Sequence, residues 1–204
     1  MSGHRSTYET PLQEIRLEPI PGSGLVIDIG GGGEGLVSRI AGARVCAVDI
    51  RMDEIREARI HETDSQWILA DGQALPFRSS VFETATFWFS LEYMRTLDTK
   101  SRVMAGVHGV LQRGGRVSLL ASRVVCEEEA FQIMMRYDLP DGDVSQTGYG
   151  VWGGQNQNID TTTMLLEKTG FRMTRREDHG HWFRLEAIKM SRSAPKTLKQ
   201  VRSA

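Results

Sequence analysis

The sequence has little cysteine. Cys46 and Cys126 are the only two in 204 residues, they fall in different expected elements, and no C-x-x-C spacing links them. Neither a disulfide framework nor a metal site is indicated. No apolar run approaches the roughly 18 to 20 residues that cross a bilayer, and MSGHRSTYET at the start lacks the apolar core of a signal peptide. The expectation is a cytoplasmic protein with no membrane span. Charge of one sign is also missing: 25 Lys and Arg face 26 Asp and Glu, a formal net charge of −1. That removes the broad attraction that nucleic-acid binders use, so nucleic acid is disfavoured as a partner. There is no internal repeat and no long linker, and the length suits one globular domain. Only the end, KMSRSAPKTLKQVRSA, is basic and nearly free of large apolar groups, so residues 191–204 read as a flexible tail.

What is present is an alternation of short β-branched runs with helical patterns, the signature of parallel strands joined by crossover helices. LVIDIG (25–30) is followed by a glycine loop and a helix, EGLVSRIAG. VCAVDI (45–50) is a second strand, and QWILA (66–70), after the helical MDEIREARI, is a third. VFETATFWFS (81–90) is the fourth, and a helix from Asp98 to Leu111 stops at the QRGG turn. RVSLLAS (116–122) is the fifth. Beyond it, EEEAFQIMMRY reads as a helix and residues 138–158 as a long Gly, Asn and Gln-rich loop, the kind that serves as a lid or binding loop. TTTMLLEKTG reads as a helix capped by Asp160 and ended by Gly170. FRMTRRE and HWFRLEAIKM close the fold as a hairpin. Residues 1–24 are expected to hold one helix, YETPLQEIRLE, lying as a lid over the ligand face; residues 25–190 form the ligand-binding domain, with 123–158 as an insertion on its substrate face.

The glycine loop has two readings. Gly30, Gly32 and Gly35 satisfy G-x-G-x-x-G, which alone would suggest a nicotinamide dinucleotide. Asp28 points elsewhere, because an anion before the loop suits a cationic aminoacyl group and offers a pyrophosphate nothing. Asp49 ends the second strand, where a carboxylate can accept both hydroxyls of a ribose, and Asp71 follows the third, within reach of an adenine amino group. Three acids at successive strand ends suit a positively charged nucleoside.

These segments together resemble the class I S-adenosylmethionine-dependent methyltransferases, especially the small-molecule branch related to quinone-biosynthesis enzymes. VIDIGGGGEG is similar to the family's D-x-G-x-G motif, AVDI to its ribose motif, LADGQALPFRSSVFETAT to its adenine motif and VLQRGGRV to its L-x-P-G-G turn, with Arg113 in place of proline. The resemblance runs from about Leu25 to Ser122. It implies an α/β, Rossmann-like, doubly wound seven-stranded sheet, mostly parallel with an antiparallel last strand. It also implies that Asp28, Gly30 and Gly32 hold the methionine part of the cofactor, that Asp49 holds ribose and that Asp71 and the Gly72 backbone contact adenine, with Gly31, Ile50 and Phe89 also among the cofactor-binding residues. Glu34, where the family often has glycine, either caps the helix or contacts the cofactor.

The acceptor would sit beyond the carboxyl ends of the strands. Trp88, Tyr93, Tyr149 and Trp152 are the candidate walls, with Met134 and Met135 beside them, which favours a small apolar or aromatic molecule; the amides of QNQN would orient it. Glu92, Tyr93, His179 and His181 are the candidate bases, if a base is used. Alternatives are an NAD(P)-dependent oxidoreductase, which leaves Asp28 and Asp71 without a role, and a non-catalytic module that binds S-adenosylmethionine and acts through a partner. A homodimer is compatible with all of them.

Overall fold

The central run at 26–29 is buried at every position, as a strand covered on both faces by crossover helices is. A computed structural model of the chain describes residues 6–61 and 63–190; the expected tail at 191–204 lies outside the described residues. In chain order the elements are β1 (Thr7–Glu9), β2 (Gln13–Arg16), β3 (Val26–Ile29), α1 (Leu36–Ala41), β4 (Val45–Asp49), α2 (Met52–Ala58), β5 (Gln66–Leu69), β6 (Phe82–Trp88) and α3 (Leu97–Val110). They continue with β7 (Leu111–Ser122), β8 (Ala130–Asp138), β9 (Val144–Trp152), α4 (Ile159–Lys168), β10 (Phe171–Asp178) and β11 (Trp182–Lys189).

Seven strands make the main sheet in the order β5-β4-β3-β6-β7-β11-β10. Pairing is parallel from β5 to β7, and β11 runs antiparallel to both β7 and β10. The expected mostly parallel sheet with an antiparallel last strand is therefore present. Its core joins Ile27, Phe87 and Leu119 of the strands to Val103 and Met104 of α3 and Leu166 of α4. The chain winds outward from β3 to β5 and then returns to place β6 against β3, so the order reverses at the carboxyl end of β3. A ligand crevice belongs there.

Five expectations are corrected. The segment expected as a helix at 8–18 forms β1 and β2, both parallel to β8. EEEAFQIMMRY is not helical but supplies β8, and the expected loop at 138–158 contains β9, antiparallel to β8. Phe131, Ile133, Met135 and Tyr137 alternate inward along β8, a period of two that only a strand presents on one face. Finally, Asn158, not Asp160, caps α4: its side chain accepts from the Asp160 and Thr161 amides while Thr161 returns a bond to the Asn158 amide, a reciprocal box. Helix α3 also stops at Val110, ahead of the glycines; Gly114, at φ +70°, lies inside an irregular stretch of β7.

The second sheet, β1 and β2 on one side of β8 and β9 on the other, packs across the carboxyl end of the first. Ile15, Phe131 and Tyr137 share a core with Phe89, Leu120 and Trp182. Glu18 fastens the N-terminal segment to the main sheet: it pairs with the buried Arg184 and with Arg175 at 2.9 Å. The described N-terminal residues and the 123–158 insertion thus form one sheet of strands, where a helix and a loop were expected.

Candidate functional site

The loop after β3 is bare backbone folded tightly against β4. Gly30 and Gly31 donate to the Val48 carbonyl at 2.8 and 3.3 Å, and Gly32 donates to Asp49 Oδ2 at 3.1 Å. Gly30 takes a φ of +70°, which side chains resist. A Cβ on Gly31 would stand 2.5 Å from Asp28 Oδ2, and one on Gly32 would stand 2.4 Å from the Glu54 Cβ. The turn therefore admits no side chain, and its surface is open to a ligand that must approach backbone closely.

Asp28, Asp49 and Asp71 line one cleft of about 650 Å³. Asp28 is buried; its Oδ1 accepts the Thr86 hydroxyl at 2.6 Å. Burial, reinforced by the nearby Asp49 and opposed by the Thr86 bond, pushes its carboxyl up to about 7. Asp49 is aimed by two backbone amides, Gly32 on Oδ2 and Arg51 on Oδ1 at 2.9 Å. Asp71 caps a short 3-10 turn by accepting from the Gln73 amide at 2.9 Å. Each acid thus has a structural duty as well as a place in the cleft wall. Ile50, Gly72 and Phe89 line the same cleft. Glu34 does so too, but it caps no helix, since α1 begins after Gly35 without a side-chain cap. Its Oε2 accepts the Ser145 hydroxyl of β9.

Phe89 is held at φ +56°, a conformation costly for a large side chain. Its ring lies 5.7 Å from Tyr137 and 6.5 Å from Tyr149, centroid to centroid, where the second sheet meets the first. Trp88 borders the cleft and donates from Nε1 to Ser118 Oγ at 3.1 Å. Tyr93 stands half-exposed, 5.5 Å from the Tyr149 ring. Tyr93 and Arg95 also line a second cavity of about 280 Å³, whose wall includes Glu92 and Trp152. The Arg95 guanidinium lies 4.4 Å above the Trp152 ring.

Glu92 is wholly buried. Its Oε1 accepts the Tyr149 hydroxyl and, at 3.2 Å, the Ser122 amide; burial raises its carboxyl above the usual range. Lys100, which the sequence reading passed over, is buried beside it and donates to Gln155 at 3.2 Å and Gln157 at 2.5 Å. Burial lowers its amine to about 8. Gln155 donates onward to the Glu92 carbonyl and Gln157 to the Ser122 carbonyl, so these amides tie the chain after β9 to α3 and β7. They were expected to orient a ligand. A lysine on a helical apolar face is the one signal that would have flagged the network.

His179 and His181 stand apart. The His179 ring stacks on Trp182 at 3.9 Å and His181 lies 6.4 Å from Tyr8; neither borders the cleft. Met135 is buried in the core between the sheets, and Met134 faces outward from the second sheet. Cys46 and Cys126 are half-buried free thiols.

Residues 27–119 match the methyltransferase domain family. The chain is 30% identical over 129 residues to the ubiquinone/menaquinone biosynthesis C-methyltransferase UbiE of Desulfotalea psychrophila, across 59% of this chain and 51% of that protein; it spans about half the length of this curated relative. Among solved structures, a S-adenosylmethionine-dependent methyltransferase of Methanosarcina mazei superposes with a TM-score of 0.63 at 17% identity, covering 84% of this chain and 94% of that one. One from Mesorhizobium loti gives 0.60 at 16% identity, covering 83% and 94%. Residues 27–119 thus match a methyltransferase domain, and the chain shares the fold of the S-adenosylmethionine-dependent methyltransferases on which it superposes.

Proposed function

We propose that the chain transfers a methyl group from S-adenosylmethionine to a small apolar or aromatic molecule held between the two sheets. The observation that carries this reading is the set of Asp28, Asp49 and Asp71 lining one cleft around a turn that admits no Cβ. Asp28 with Gly30, Gly31 and Gly32 would take the aminoacyl end, Asp49 and Ile50 the ribose, and Asp71 with Gly72 the adenine. Glu34 and Glu54 add to the acid in the wall, and Arg51 there is paired to Asp53 at 2.5 Å and Glu54 at 3.0 Å. A cationic nucleoside is favoured by such a wall, whereas a dinucleotide pyrophosphate would be repelled.

The sulfonium supplies an already activated methyl, so what remains for the protein is alignment and exclusion of water. Phe89, Trp88, Tyr93 and Tyr149 would hold the acceptor in line with the methyl, with Tyr149 contributed by the second sheet. An aromatic acceptor also fits the quinone-biosynthesis name of the curated relative. Of the four candidate bases, Glu92 and Tyr93 border the cavities and the two histidines do not. We assign residues 25–190 to the methyltransferase unit, with 123–158 and the first 24 residues as its cover, and place its work in the cytoplasm; among the described residues no helix is long and apolar enough to cross a membrane.

Turnover tests the reading: incubation with S-adenosylmethionine and a library of small aromatic molecules should release S-adenosylhomocysteine. Tight binding of S-adenosylmethionine with no turnover on any acceptor would favour the non-catalytic module instead.

A further inference from the structure

Tyr93 and Arg95 line both the cleft and the second cavity, and the charge of the second cavity is not that of the cleft. Two arginines stand in the cleft wall, and Arg51 is neutralised by Asp53 and Glu54. Arg95 is exposed, and among the described residues its guanidinium meets no carboxylate and no hydrogen-bond acceptor, only the Trp152 ring at 4.4 Å. A ring contact holds the ion in place but leaves its N–H donors unused. The two acids of the second cavity do not answer that charge: Glu92 is buried with Oε1 on Tyr149 and Ser122 and Oε2 sealed from solvent, and Glu129 is not without a partner. Gln132 lines the same cavity, and neither its amide nor the Tyr93 hydroxyl has a hydrogen-bond partner among the described residues. At about 280 Å³ the space suits one end of a ligand whose remainder lies in the cleft.

Resting on the methyltransferase reading, we propose that the second cavity is a subsite for a carboxylate carried by the acceptor, with Arg95 as its receptor, so that the acceptor is an aromatic acid. The planar guanidinium fork takes both oxygens of a carboxylate, and the Gln132 amide and Tyr93 hydroxyl are further donors on the same wall. Because Arg95 and Tyr93 border both spaces, a molecule anchored there extends past the Tyr93 ring into the cleft that would hold the methyl donor. The acids of the cleft wall set its direction: Asp28, Asp49, Glu34 and Glu54 repel the carboxylate, which stays on Arg95 while the uncharged ring faces the donor. Arg95 thus selects and orients the acceptor and takes no part in making or breaking a bond.

The test uses protein saturated with S-adenosylhomocysteine, titrated by NMR with 3-phenylpropionate, its neutral isostere 3-phenylpropanamide, and phenyl phosphate. 3-Phenylpropionate should bind at least about fivefold more tightly than the amide, and Arg95→Gln should remove that preference, with the circular dichroism spectrum and urea midpoint of the variant as the control for folding. Equal binding of acid and amide by the wild type, a preference for the amide, no binding of either, or a preference that survives in folded Arg95→Gln would overturn the subsite. Tighter binding of phenyl phosphate than of 3-phenylpropionate would overturn the carboxylate in favour of a phosphate. The wild-type comparison decides the matter even if the variant fails to fold. A wild type that binds no S-adenosylhomocysteine would overturn the methyltransferase reading itself, so the two failures are distinguishable.

Discussion

Asp28 sits under the glycine turn as a buried acid whose carboxyl burial raises to about 7 from an ordinary 3.8. An acid raised on folding stabilises the folded state fully below its unfolded value, and that contribution is lost as pH climbs through the folded value. The unliganded protein should therefore weaken relative to Asp28→Asn between about pH 4 and 7, by roughly 3 to 5 kcal/mol; urea denaturation of both forms at pH 4.5 and 7.5 checks it, and parallel pH curves would contradict it. Asp49→Ala removes an acceptor aimed by two amides, so affinity for S-adenosylmethionine should fall at least about tenfold, read by calorimetry. Gly32→Ala should abolish binding outright, since the added Cβ meets the Glu54 Cβ at 2.4 Å, backbone-anchored on both sides. These residues were legible in the sequence because each is fixed by a local rule, a turn that needs glycine or an acid at a strand end. Lys100 was not, because its role depends on Gln155 and Gln157, which arrive from a different part of the chain.

The elements of the main sheet could be read from their own composition, since β3, β4 and β6 are short apolar runs bounded by turns. The second sheet could not. Alternation along β8 is interrupted by Met134, and two of its partners, β1 and β2, lie more than a hundred residues earlier, so its period of two was masked by the extra apolar residue. Glycine misled in β9: Gly148 and Gly150 stand within the ladder opposite Met134 and Gln132, not in a loop. The β8–β9 hairpin is tied to the glycine loop by the Glu34 and Ser145 contact and to α1 by Arg39 and Asp143 at 2.5 Å. Arg39→Ala should accordingly speed S-adenosylhomocysteine release by about two- to fivefold in stopped-flow tryptophan fluorescence, while the denaturation midpoint moves little. An unchanged release rate would mean that the hairpin does not gate the cleft.

At the scale of the whole molecule, two sheets are joined across one face, and the joint at the N-terminal side adds an ion pair to the apolar contacts of Ile15 and Leu17. Glu18 binds Arg184, which is buried and also donates to the Arg16 carbonyl at 3.1 Å. The Arg175 bond, ahead of the Arg184 charge, holds the Glu18 carboxyl below its usual range. The pair therefore contributes above the ordinary carboxylate value and is lost as pH falls through the depressed one. Glu18→Ala should cost up to about 1 kcal/mol in urea denaturation at neutral pH, because the half-exposed Glu18 is screened by solvent, and less in acid. The near-neutral chain carries its acid locally, around the cleft, and this is why the donor and not the acceptor was readable first. The most direct test is calorimetry of the intact chain against S-adenosylmethionine and NADH at neutral pH. The acidic cleft and bare turn predict saturable single-site binding of the sulfonium nucleoside and no heat with the dinucleotide; saturable heat with NADH and none with S-adenosylmethionine would contradict the account.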